Sequence, residues 1–164
     1  MKRIVITFLL GSASIVVLAS VLIHPNGLVK ATHSNEPLLA GAEIDPAVMS
    51  ILERSCQNCH SEKTDWPFYS YVAPMSWLVE GDVSQARSHM NLSRWGDYSL
   101  EEKEQFLTRI GAFVRSGKMP PARYLAIHTN AKLSADDSAR IYEWAHAERR
   151  RLKSVVPAPA GAGL

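Results

Sequence analysis

The sequence predicts an all-α chain, with one apolar helix at the N-terminus followed by a single small helical domain. Three observations carry this reading. Apolar residues recur at three-four spacing behind helix-capping residues at Asp45, Ser99 and Ser134. No stretch keeps the alternation of a half-buried strand. An uncharged apolar run extends from Ile4 to Ile23 behind Lys2 and Arg3. A length of 164 residues has room for one domain with extensions.

The N-terminal run, wound as a helix, spans about 30 Å, the thickness of a bilayer core. A cleaved export signal has a shorter apolar region, and the small-residue site at Val29-Lys30-Ala31 is a poor one. Residues 1–23 therefore read as a signal-anchor, in preference to a removed signal peptide. The basic flank stays in the cytoplasm and the remainder faces outward. In a bacterium this is the periplasmic side of the inner membrane, with an exported soluble form if the segment is cleaved. Residues 24–43 hold Pro25, Gly27, Pro37 and Gly41 without periodicity and read as a linker, with His24 and His33 as solvated linker residues.

The domain is expected over residues 44–153. Asp45 caps the first helix and Pro46 occupies its first position. Val48, Ile51, Leu52, Ser55, Cys56 and Cys59 follow one helical face. From Trp66 to Trp77 the chain is rich in rings and prolines, a packed loop entering a helix near Pro74. Its rings either wall an apolar crevice or fill a core. Ser76 to His89 is weakly helical, and Asn91 to Tyr98 reads as a polar connector. Ser99 and Glu102 form a capping box before the stripe Phe106, Leu107, Ile110, Phe113 and Val114, and Gly117 terminates that helix. Ser134 with Asp137 opens the last helix, with Ile141, Tyr142, Ala145 and Leu152 facing inward. Residues 154–164 read as a disordered tail.

Both cysteines of the chain lie in Cys56-Gln57-Asn58-Cys59-His60. Two thiols at this spacing with a histidine directly after form the pattern for covalent c-type haem attachment. Cys56 and Cys59 add to the haem vinyl groups and His60 becomes an axial ligand of the iron. The cofactor implied is one covalent haem c. For the second axial position the candidates are Met75, Met90, Met119, His89, His128 and His146. Met119 has the best setting, in a proline-stiffened loop past a helix end. His128, in the same loop, is the main rival, His89 comes next, and His146 belongs to the exposed side of the last helix. Arg87 and Arg123 are candidate partners for the propionates. A thioredoxin-like disulfide lacks its strand and helix alternation, and structural zinc lacks a second paired cluster.

Several residues beyond the motif resemble the bacterial haem-binding domain family, single-haem c-type cytochrome-like exported proteins. They include Ser61, Thr64, Trp66-Pro67, Tyr69-Ser70, Ala73-Pro74 and Ser76-Trp77. Further on come Asp82-Val83, Arg87, Asn91, Ser93, Trp95, Gly117-Lys118-Met119-Pro120, Tyr124, His128, Leu133-Ser134 and Trp144. The resemblance covers most of the globular part. It implies a cytochrome c-like helical domain around one covalent haem, with Cys56, Cys59 and His60 as attachment and ligand residues, and it favours Met119 as sixth ligand. Leu92 and Thr129 depart from the pattern, outside the attachment motif.

Net charge is +2, and the only basic cluster, Arg149 to Arg151, lies at a helix end where cations suit the dipole. Nucleic-acid binding is not expected. The expected function is single-electron transfer with redox partner proteins, next to a membrane reached through the N-terminal helix. A haem-dependent peroxidase or small-ligand sensor with a labile distal ligand is the alternative.

Overall fold

The structure, a computed structural model, describes residues 2–23 and 29–155. His24 and residues 156–164 of the expected tail lie outside the described residues. Among the described residues every regular element is helical: α1 (Lys2–Leu22), α2 (Pro46–Ser55), α3 (Gln57–His60), α4 (Met75–His89), α5 (Leu100–Arg115), α6 (Ala122–Leu125) and α7 (Ala135–Val155), with 3-10 turns between them. Helix α1 is exposed, and its length and apolar composition suit a membrane anchor or a signal sequence.

The caps form as local chemistry dictates. The Asp45 carboxylate accepts from the Ala47 N–H at 2.7 Å with Pro46 at the first helical position. Ser99 and Glu102 exchange reciprocal bonds at the head of α5. Ser134 and Asp137 do the same before α7, at 2.9 and 3.0 Å. Gly117 adopts φ 66°, the left-handed conformation that ends α5. Helices α5 and α7 pack closely enough that a Cβ on Gly111 would meet the Tyr142 ring at 3.1 Å. The core joins Val48, Ile51 and Leu52 of α2 to Leu107 and Val114 of α5 and to Ile141, Trp144, Ala145 and Leu152 of α7.

Three features differ from the sequence expectation. Asn91 to Tyr98 is no polar connector: Leu92 and Trp95 are each only 1% exposed and fill the centre of the core. The polar residues around them stay satisfied, because Asn91 and Ser93 bond within the segment and to Glu62. The stripe through Cys59 does not run on one helix. Cys56 leaves helical geometry at φ −124°, so α2 ends at Ser55 and α3 restarts from the Cys56 carbonyl, which accepts from His60 N–H.

The third difference concerns the segment expected to be a linker. Leu38 and Leu39 are buried in the core, and the Leu39 N–H donates to the Leu92 carbonyl at 2.9 Å. Leu39 holds φ 55°, which a bulky residue adopts only where surrounding structure over-determines it. Val29 is buried as well, and Arg87 donates to its carbonyl. Truncating Leu39→Ala should therefore cost about 2–5 kcal/mol in a denaturant titration, as for other buried leucines. A loss below about 0.5 kcal/mol would return the segment to surface behaviour.

Candidate cofactor cavity

A cavity of about 550 Å³ opens between the α2–α3 corner, one face of α4, one face of α5 and the loop that follows α5. Leu52, Ser55, Cys56, Cys59 and His60 form one wall, and Asp82, Gln85, Ala86, His89 and Met90 a second. Phe106, Arg109, Ile110 and Phe113 come from α5, while Met119, Pro120, Pro121, Arg123 and Tyr124 line the remaining side. The lining is apolar apart from a few convergent polar groups, the usual character of a cofactor site. A second cleft of about 630 Å³, bounded by Val114, Ser138 and Tyr142, lies away from the cysteines.

The two residues between the cysteines fix the corner. Gln57 donates to the Lys63 carbonyl, and Asn58 donates to the Tyr124 hydroxyl at 3.1 Å while accepting from Asp65 N–H. Arg87, expected as a propionate partner, is instead a clamp behind the motif. It donates to the Ser61 carbonyl, the Thr64 hydroxyl and the Val29 carbonyl and does not line the cavity. Buried Glu62 accepts from Arg94 at 2.7 Å and Asn91 at 3.1 Å, which ties the chain after His60 to the segment carrying Trp95.

The His60 Nδ1 lies 3.1 Å from the Met90 carbonyl oxygen. A carbonyl can only accept, so Nδ1 carries the proton and Nε2 keeps its lone pair. Burial lowers the His60 pKa, outweighing the backbone bonds that oppose it, so the ring stays neutral. Both cysteines are free thiols. Burial, reinforced by the neighbouring Cys59 and opposed by Arg54, pushes Cys56 up to about 12. Burial and then Asp82 raise Cys59 to about 11, against Arg123 and Arg87.

Met119 lines this cavity and His128 does not. The His128 ring stacks on Tyr124 at 4.0 Å, with Nδ1 against the Tyr124 carbonyl and Nε2 against the Tyr69 hydroxyl. His89 and Met90 also line the cavity, whereas Met75 and His146 are outside it. Arg123 lies at the cavity and pairs with Asp82 at 2.6 Å. Arg109 also lines it and was missed in the sequence; its only signal is the place one residue before Ile110 on the α5 stripe. The rings of 66–77 neither line the cavity nor fill the core, and Phe68 is 85% exposed.

These residues fit a haem. Two thiols and a neutral imidazole share one wall, a thioether lies on another, and the guanidinium groups of Arg109 and Arg123, the latter paired with Asp82, stand at the cavity as donors for carboxylates. Phe113 and Met119, about two-fifths exposed at 40% and 38%, present large apolar surface to this cavity. The buried Ser55 hydroxyl on the same wall has no hydrogen-bond partner among the described residues. Zinc is a poorer match, since no group of three or more His, Cys, Asp or Glu side chains converges among the described residues. The raised thiol pKa values make a prediction for haem-free protein. At pH 8, iodoacetamide should alkylate both cysteines at least ~100-fold more slowly than an ordinary thiol, and Cys59 about tenfold faster than Cys56. Mass spectrometry of timed aliquots reads this, and rates should climb with pH towards the raised values.

Comparison with known proteins converges on the same cofactor. The cytochrome c peroxidase Ccp of Escherichia coli (strain K12) is 28% identical to this chain over 102 residues, which is 60% of this chain and 22% of that protein. The chain thus spans about a fifth of that relative's length. No solved structure matches the chain. The family model of the haem-binding domain matches residues 15–147, from within α1 to within α7. With the cavity, its cysteines and its neutral histidine, that match shows that the chain belongs to the haem-binding domain family.

Proposed function

We propose that this haem protein is a monohaem c-type cytochrome that carries single electrons on the periplasmic side of a bacterial inner membrane, held there by α1. The observation that carries the reading is the hydrogen bond from His60 to Met90, in a ring placed beside two cavity-lining thiols. Bound haem iron supplies a one-electron couple whose potential depends on the axial ligands. Cys56 and Cys59 would hold the porphyrin as thioethers, so that the cofactor would not be lost during turnover. His60, with a neutral Nε2 of fixed tautomer, would be a ligand to the iron.

Met119, which also lines the cavity, is assigned as the second protein ligand that would hold the iron. Its loop is constrained by Pro120 and Pro121, and the Lys118 and Met119 N–H groups both donate to the Phe113 carbonyl, which ties the loop to the end of α5. A thioether held this way resists displacement and favours a higher potential. Arg109 and Arg123 are assigned to the propionates by their charge and planar donors. With His60 and Met119 both held for a bound haem iron, the site would suit electron exchange with redox partner proteins rather than substrate binding.

The similarity to a peroxidase supports a second reading, in which Met119 is absent or labile and His89 acts as a distal base. Only about a fifth of that relative's length is matched, so the stretch in common is a part of the peroxidase rather than the whole of it.

Holoprotein made with haem-maturation machinery should keep its haem on a denaturing gel and show low-spin spectra in both oxidation states, indifferent to carbon monoxide. Met119→Ala should leave the haem covalently attached but open the iron to carbon monoxide. His60→Ala should lose the low-spin absorption. Unchanged spectrum and potential in Met119→Ala would remove Met119 as ligand, and carbon monoxide binding by the unaltered protein would favour the peroxidase or sensor.

A further inference from the structure

The segment from Phe68 to Leu78 carries an apolar surface that the cofactor cavity does not use. Phe68 is 85% exposed, Tyr71 56%, Val72 48%, Met75 39% and Leu78 52%. Isolated exposed apolar residues are ordinary, but a cluster within one short stretch marks a contact surface. None of the five lines the cavity.

The position of this surface identifies its occupant. The Ala73 N–H donates to the Ser20 hydroxyl at 2.7 Å, and the Trp77 indole donates to the Ile23 carbonyl at 2.9 Å. Both acceptors belong to the last turn of α1 and the residue after it. If α1 crosses a bilayer, Ser20 lies only ~3 Å along the helix from its end at Leu22. The surface is therefore level with the lipid headgroups and continuous with the membrane-facing helix. Its chemistry suits that depth. The Lys30 ammonium lies 4.4 Å from the Tyr71 ring centre and 5.3 Å from that of Trp66, while also pairing with Glu80 at 3.0 Å. Aromatic rings beside a cation are typical of the layer between hydrocarbon and water.

We propose that the ridge Phe68, Tyr71, Val72, Met75 and Leu78 is a second membrane contact, seated in the phospholipid interface beside α1. The proposal rests on the reading of α1 as a retained anchor. It goes further by giving the domain a fixed attitude. Met75, Leu78, Asp82, Gln85 and His89 follow one face of α4 at three-four spacing. The first two belong to the ridge and the last three line the cavity. Seating the ridge therefore sets the height of the haem site, with His89 ~21 Å along the helix from Met75.

The test uses the full-length holoprotein in liposomes of phosphatidylethanolamine and phosphatidylglycerol. Photoreactive p-benzoylphenylalanine is placed singly at Leu9, Phe68, Leu78 or Leu100, the last being 40% exposed at the start of α5. Lipid adducts are expected at Leu9, Phe68 and Leu78, with at least tenfold less at Leu100. Adducts at Leu9 alone would overturn the ridge and leave the anchor standing. No lipid adduct at any position would overturn the anchor and the ridge with it. Adducts to protein in place of lipid at Phe68 and Leu78, in native membranes, or equal labelling at Leu100, would also overturn the ridge.

Discussion

The bond between the His60 imidazole and the Met90 carbonyl is the constraint on which the site depends. Met90 follows the last residue of α4, and its N–H is still bonded to Ala86, so its carbonyl is held by the helix end. That carbonyl orients a ring whose backbone comes from the next turn after Cys56. One hydrogen bond thus joins the two walls of the cavity, sets the tautomer and leaves Nε2 as the basic atom. Burial then keeps the ring uncharged. Sequence adjacency puts a histidine beside the thiols, but only this long-range contact determines which nitrogen is available.

Behind the cavity a buried polar scaffold holds the motif in place. Glu62, 4% exposed, receives two nitrogens of Arg94 and the Asn91 amide, and its own N–H donates to Ser93. Arg87 spans Ser61, Thr64 and Val29 from the other side. A buried carboxylate is tolerable only when it is this well paired. Such a scaffold favours one arrangement of the loop after His60, because any slip would leave charged or polar groups unsatisfied.

What could be read from the sequence was local. Caps at Asp45, Ser99 and Ser134 and the terminator Gly117 involve neighbours a few residues apart, so spacing alone exposes them. The cysteine pair with its histidine is legible for the same reason. Trp95 sits among polar residues that in sequence suggest a connector, although Glu62 and Tyr98 supply the partners that let its surroundings be buried. Leu38 and Leu39 were hidden by their glycine- and proline-containing flanks, since their burial depends on Leu92 far along the chain. Loop position favours Met119 over His128 in the sequence, but it says nothing of what else either side chain touches. In the structure Met119 lines the cavity, whereas His128 stacks on Tyr124 and has both ring nitrogens against the Tyr124 carbonyl and the Tyr69 hydroxyl.

The burial of Val29, Leu38 and Leu39 bears on how this protein could meet other molecules. A redox domain on a long slack leash samples a wide hemisphere and collides with partners at any elevation. Here the chain is already gripped at Val29, so a membrane-held form keeps little radial freedom and moves chiefly by sliding in two dimensions. On the proposed electron-transfer reading its encounters would then be filtered by stature: a redox partner would have to present its own centre at a matching distance from the lipid, whatever its local concentration.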